Sequence, residues 1–207
     1  MLLFVHGWGL NATLWDTVRA KLDAPAATVD LGYSAVARPA EGQGRVIGIG
    51  HSFGALWLLH HRADRLSGFI AISGFARFTA APDWPHGVPP RLLHRMRSTY
   101  PSRPAEVLDQ FRARCGLPPW LGPRDDARLA ADLDALADWD ARETLRRLDI
   151  PVLCLAAADD QLLPPDLAPA TAALANTTCR WAPNGGHVLP LTQPDWCAQQ
   201  IAAFATS

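Results

Sequence analysis

The chain has 207 residues, 49% of them hydrophobic and 19% charged, with a formal net charge of −1. That length suits one domain with a sizeable core and room for an insertion, and the near-neutral balance removes any general electrostatic case for nucleic acid or an anionic membrane as partner. Cys115, Cys154, Cys179 and Cys197 are widely spread, with neither C-x-x-C pairing nor a histidine at metal-ligand spacing, so free thiols are expected and no metal site.

Leu2–Val5 reads as a first short strand; it ends at His6-Gly7 and lacks the basic start and cleavage site of a secretory leader. No run approaches the roughly 18 apolar residues of a membrane span. The pattern between Asn11 and Leu22 predicts a helix, Ala27–Leu31 a strand, Arg45–Ile49 a third strand, and Phe53 to Asp64 a helix. Little room is left for a helix between Leu31 and Arg45. Gly68–Ser73 follows as a strand. From Ala76 to Asp138 the alternation stops: this stretch is rich in proline and holds three helix-like runs, around 89–99, 104–115 and 124–137, without a convincing strand. Pro151–Ala156 and Thr178–Ala182 resume the strands, with helical patterns at Pro165–Ala175 and Pro194–Phe204. Such alternation predicts an α/β fold with a mostly parallel sheet of about six strands and helices on both faces. The expected division is a core of residues 1–75 and 139–207, with residues 76–138 inserted as a helical cap over the carboxyl edge of the sheet, where open α/β folds bind ligands.

Gly50-His51-Ser52-Phe53-Gly54 lies between a predicted strand and a predicted helix. A G-x-S-x-G in that setting is a nucleophile elbow, a turn so tight that small residues must flank the serine. A serine hydroxyl needs a base, and the base needs a carboxylate that fixes its tautomer; in elbow enzymes they follow in the order acid, then histidine. Asp159-Asp160, after the strand at Pro151–Ala156, supplies two candidate acids, and His187 in Asn184-Gly185-Gly186-His187 supplies the base. His51, inside the elbow, reads as a support residue. His60, His61, His86 and His94 read as solvated or packed. His6-Gly7-Trp8-Gly9 directly follows the first strand, where such folds place the second oxyanion donor, so the backbone N–H groups of Trp8 and Phe53 are the expected oxyanion hole.

With these residues in place the chain resembles the α/β-hydrolase superfamily, and more narrowly the pimeloyl-[acyl-carrier protein] methyl ester esterases of biotin synthesis. The narrower resemblance rests on Val5-His6-Gly7-Trp8-Gly9-Leu10-Asn11-Ala12 with Leu14-Trp15, on Asp83-Trp84-Pro85-His86-Gly87-Val88, on Phe111-Arg112-Ala113-Arg114-Cys115-Gly116, on Arg124-Asp125-Asp126-Ala127-Arg128, and on Asp140-Ala141-Arg142 with Ile150-Pro151. The family's D-x-x-[VIL]-P register selects Asp160, four residues before Pro164, over Asp159. The resemblance further implies that Trp8, Phe53, His187 and the run Phe111, Arg112, Ala113, Arg114 and Cys115 contact substrate. It also implies that Arg124 and Arg128 receive an acidic carrier protein. Spaced four apart, those two would share one side of a helix. The chain departs from the family in opening at its first parallel strand, without the two N-terminal antiparallel strands. It departs again in carrying His51 and Phe53 where close relatives have Trp and Leu, and Glu106 and Gln110 where basic residues are expected.

The resemblance therefore implies a cytoplasmic serine carboxylesterase that cleaves the methyl ester of a carrier-bound pimeloyl chain, with no cofactor. The alternative is a general small-molecule carboxylesterase or thioesterase without a carrier partner. Ser52 argues against the dehalogenases and epoxide hydrolases of this fold, which use an aspartate nucleophile.

Overall fold

The computed structural model describes residues 1–34 and 44–206. Six strands, β1 (Leu2–Val5), β2 (Ala26–Val29), β3 (Val46–His51), β4 (Leu66–Ile72), β5 (Val152–Ala157) and β6 (Cys179–Ala182), form one sheet in the order β2-β1-β3-β4-β5-β6. Every pairing is parallel. The expected α/β architecture, a mostly parallel sheet of six strands, is borne out among the described residues. Part of the segment between Leu31 and Arg45, expected to be too short for a helix, lies outside the described residues.

A parallel sheet needs crossovers, and these cover both of its faces. A four-residue turn at Ala12–Trp15 leads into α1 (Asp16–Arg19), followed along the chain by α2 (Phe53–His61), α3 (Pro90–Thr99), α4 (Pro104–Arg114), α5 (Asp126–Asp138), α6 (Arg142–Arg147), α7 (Leu167–Leu174), α8 (Leu189–Thr192) and α9 (Pro194–Ala205). Side chains alternate along each strand, so adjacent apolar residues serve opposite faces. Leu3 and Val5 of β1 join a core with Leu56 and Leu59 of α2, Leu145 of α6 and Leu167 of α7. Leu2 and Phe4 join the opposite core with Trp15, Val18 of α1, Leu189 of α8 and Ile201 of α9. The sequence patterns missed α6 and α8. Both are too short to show a helical period, and α6 is held by tertiary contacts of Leu145 and Arg142 rather than by its own pattern.

The strand order reverses at β1: the chain leaves β1 for β2 on one side and returns to β3 on the other. At such a switch point the loops beyond the carboxyl ends diverge and leave a crevice. Here the loop after β1 carries Trp8, and the turn after β3 carries Ser52.

Helices α3, α4 and α5 all fall between β4 and β5, and the two ends of this segment are tied together. Arg142 reaches Asp83 at 2.8 Å and Asp140 at 2.7 Å and lies over the Trp84 ring, while Arg77 pairs with Asp140 at 2.6 Å. Burial pushes the Asp140 carboxyl up, but hydrogen bonds from Arg142 and Arg77 outweigh it and hold the group at about 2.

Candidate active site

Ser52 adopts φ 51° and ψ −121°, a left-handed backbone that a residue with a side chain rarely takes. The strain is held by the neighbours. Its N–H donates to the Ile72 carbonyl at 3.0 Å, and its own carbonyl accepts the N–H of Ala55 at 3.0 Å. The flanking glycines are required by space. A Cβ on Gly54 would sit 2.3 Å from the Val5 carbonyl oxygen, and one on Gly50 would sit 2.4 Å from the backbone of Ala55. The close approach of β1, the elbow and α2 is what turns Ser52 toward the crevice.

Three of the sequence-selected residues meet there. His187 Nε2 lies 3.0 Å from Ser52 Oγ, and His187 Nδ1 lies 2.9 Å from Asp160 Oδ2. Because a carboxylate only accepts, Nδ1 carries the proton and Nε2 is free to accept the serine hydroxyl. Burial would push the Asp160 carboxyl up; its hydrogen bond and charge interaction with His187, and the N–H groups of Leu162 and Leu163, together hold it below the usual carboxylate range. The neighbouring Asp159 does not touch the histidine. Its carboxylate accepts the N–H groups of Gly185 at 3.2 Å and Gly186 at 2.8 Å, pinning the loop that delivers His187.

The Trp8 and Phe53 backbone N–H groups have no hydrogen-bond partner among the described residues. Trp8 is anchored from the other end, its indole N–H donating to the Leu129 carbonyl at 2.8 Å and its ring set edge-on to Phe111. A device not singled out in the sequence holds this loop. Leu31 N–H donates to His6 Nε2 at 2.9 Å, and Asp30 accepts the N–H groups of Gly32 and Ala12 at 2.8 and 3.1 Å. Burial pushes the Asp30 carboxyl up, yet His6 and these amides bring it to about 2.

The reacting groups open into an apolar cleft with about 600 Å³ of empty space, part of it open to solvent. Of the residues that the resemblance implies as substrate contacts, Trp8, Phe111, Arg114 and His187 line it, and Phe53, Arg112, Ala113 and Cys115 do not. The Phe53 ring is fully buried and stacked on Trp139. Arg112 turns to the carbonyls of Gly9 and Pro118, Ala113 is exposed, and Cys115 is buried in the core. The reason is helical geometry: on α4, positions 111 and 114 share a face and 112 and 113 turn away. The remaining lining residues include Phe78, Leu92, Met96, Leu136, Leu162 and Leu163. Leu162 and Leu163 fall within the D-x-x-[VIL]-P stretch that begins at Asp160, but Phe78, Leu92, Met96 and Leu136 belong to no motif, so only the fold could bring these walls together.

The pair implied to dock a carrier is arranged differently from the sequence argument. Helix α5 begins at Asp126, with the Asp125 carboxylate accepting the Arg128 N–H at its start, so Arg124 precedes the helix. The expected common helical side does not exist. Arg124 is paired with Asp126, and Arg128 lies 3.7 Å from Asp125. Neither lines the cleft.

Over residues 2–200 the chain matches the profile described as the Alpha/beta hydrolase family. The chain belongs to that family. Among curated relatives of this hydrolase, the pimeloyl-[acyl-carrier protein] methyl ester esterase of Neisseria meningitidis serogroup C is 28% identical, the match covering 78% of this chain and 75% of the relative. The protein of the same name from Pectobacterium carotovorum is 27% identical over 99% of this chain and 93% of its own. Solved structures agree on the fold. A bromoperoxidase from Bacillus anthracis superposes with a TM-score of 0.85 at 17% identity, covering 100% of this chain and 91% of that one. An esterase from Exiguobacterium antarcticum follows with 0.81 at 17%, with the same coverage. The hydrolase is a carboxylesterase by class. All four cysteines are free thiols, and burial raises the Cys154 thiol on β5 to about 12. Among the described residues no helix is long and apolar enough to cross a membrane.

Proposed function

We propose that this hydrolase cleaves the methyl ester of a pimeloyl chain carried on an acyl-carrier protein, with Ser52 as nucleophile, His187 as base and Asp160 as its orienting acid. The observation that carries the mechanism is the continuous chain from Asp160 through His187 to Ser52, beside two unpaired N–H groups. Ser52 Oγ attacks the ester carbonyl while His187 Nε2 takes its proton. The Trp8 and Phe53 amides receive the oxyanion, each such donor being worth about 2.7–4 kcal/mol in the transition state. His187 returns the proton to the departing methanol, and a water deprotonated by the same nitrogen then releases the acid from Ser52. No step calls on a metal or an organic cofactor.

The names and overall coverage of the relatives support the substrate, and so does the apolar cleft, since each buried methylene of an acyl chain contributes about 0.8 kcal/mol. In this reading residues 76–138 act as a helical cap on the core formed by 1–75 and 139–207, and Arg124 and Arg128 contribute to carrier docking by exchanging their aspartate partners for acidic groups of the carrier. The test compares pimeloyl-carrier methyl ester with short p-nitrophenyl esters. A kcat/KM higher for the carrier-bound ester is expected; efficient turnover of the short esters with none of the carrier-bound one would leave a general carboxylesterase.

His51 also belongs to this mechanism. Its ring is fully buried, and burial followed by the nearby His187 lowers it to about 3, so it stays neutral. Its Nε2 lies 2.9 Å from the His187 carbonyl, which can only accept, so Nε2 carries the proton and holds the backbone of the base. His51→Leu, which leaves that buried carbonyl unpaired, is expected to lower kcat by about ten- to a hundredfold with little change in KM. His51→Gln can present an amide N–H at the same position and should recover most of the loss. Equal losses in both variants would reduce His51 to a packing role.

A further inference from the structure

We infer that Arg112 is a positioning residue for the oxyanion hole: it acts on the ester carbonyl through the Trp8-Gly9 loop and touches no substrate itself. Its side chain turns away from the cleft and onto backbone. Nη1 donates to the Gly9 carbonyl at 2.9 Å, Nε donates to the Pro118 carbonyl at 2.8 Å, and the guanidinium lies over the Trp120 ring, 5.3 Å from its centroid. No carboxylate pairs with it among the described residues. A half-buried guanidinium whose hydrogen bonds go to two carbonyls serves to hold backbone, and bonds from a charged donor are the stronger kind.

Gly9 directly follows Trp8, and Arg112 is the hydrogen-bond partner of its carbonyl among the described residues. Upstream, the core fixes the loop: Val5 is paired in the sheet, and His6 Nδ1 lies 2.9 Å from the Gly7 carbonyl. Downstream, the Ala12 N–H donates to Asp30. Between those ties, Trp8 and Gly9 are gripped by the segment that joins β4 to β5. The Trp8 indole donates to the Leu129 carbonyl of α5 at 2.8 Å. Helix α4 presses on Gly9, whose φ is +69°: a Cβ there would stand 2.9 Å from Leu108 Cδ1 and 3.0 Å from the Phe111 ring. The indole bond fixes a side chain, and the peptides on either side of Trp8 can still turn about it. A glycine has the widest backbone freedom, so a bond to the Gly9 carbonyl restrains the loop where rotation is easiest and keeps the Trp8 N–H aimed. An oxyanion donor is effective only when it is aimed before the charge develops, and a misplacement of about 1 Å costs on the order of a hundredfold.

This inference rests on the oxyanion-hole assignment in the reading above, though on neither the acyl chain nor the carrier. It is tested with Arg112→Met, which keeps an apolar stem and removes both donors, and with Arg112→Gln, too short to reach both carbonyls, should the first not fold. Each is measured on a short p-nitrophenyl ester and against two inhibitors that share one alkyl chain. A trifluoromethyl ketone is attacked by Ser52 Oγ: the C–O bond forms, the carbonyl π electrons move to oxygen as an oxyanion, and the serine proton passes to His187 Nε2. The matching methyl ketone binds as an unreacted carbonyl. In the variant kcat is expected to fall by about ten- to a hundredfold with KM within about twofold, and Ki for the trifluoromethyl ketone to rise by a similar factor while Ki for the methyl ketone stays at its wild-type value. A kcat within about twofold of wild type would overturn the positioning role. Equal losses on the two inhibitors, or failure of both variants to fold, would overturn it as well by making Arg112 a structural tie. A wild type that binds the two ketones equally would instead overturn the oxyanion hole, and the inference with it.

Discussion

Ser52→Ala and His187→Ala are each expected to lower kcat for any ester by roughly a millionfold, because the members of such a triad act as a unit. Removing Ser52 Oγ takes away the atom that attacks, and removing the imidazole leaves a hydroxyl that is hardly ionised at neutral pH. Neither change should unfold the protein. The serine backbone, which carries the strain of the elbow, keeps its hydrogen bonds to Ile72 and Ala55 in the alanine variant. Thermal unfolding by circular dichroism, measured beside steady-state hydrolysis, checks both halves of this expectation. A Ser52→Ala enzyme with activity within tenfold of wild type would remove the serine mechanism.

Asp160→Asn is expected to cost about 10⁴ in kcat. An amide nitrogen placed against His187 Nδ1 donates where the carboxylate accepted, and it selects the tautomer whose Nε2 carries the proton, so the base is lost. Asp159→Asn keeps an oxygen that can still accept one of the two glycine amides, and with no contact to the imidazole it should cost less than about tenfold. Parallel kinetics on the two variants decide between adjacent carboxylates. Reversed magnitudes would exchange the roles of Asp159 and Asp160.

Much of this site was legible in the linear chain because its parts are local. Ser52, its flanking glycines and the strand before them are contiguous, and His187 and Asp160 stand in loops directly after recognisable strands. The two adjacent aspartates show the limit. Residue types alone allowed either to serve, and the choice came from the position of Pro164; the geometry then separates them by which atoms each carboxylate reaches. The run Phe111–Cys115 marks a second limit, since a resemblance transfers a whole segment where a helix presents only one side of it.

By itself the sequence determined the order of the strands and of the longer helices, the location of the elbow and the family, because short apolar β-branched runs, glycines in tight turns and a buried parallel sheet leave signals within a few residues of one another; the short α6 and α8 left none. Tertiary structure alone decided the rest. The cleft draws its walls from Phe78, Leu92, Leu136 and Leu162, separated by up to 84 positions (162 − 78) and sharing no motif. Whether an arginine is available to a ligand depends on which aspartate lies within reach, as Arg124, paired with Asp126, and Arg95, whose side chain has no hydrogen bond or ion pair with any described residue, show. Hydrogen bonds and charge fall off over a few ångströms, so these properties belong to distances in space that a pattern of residue types does not contain.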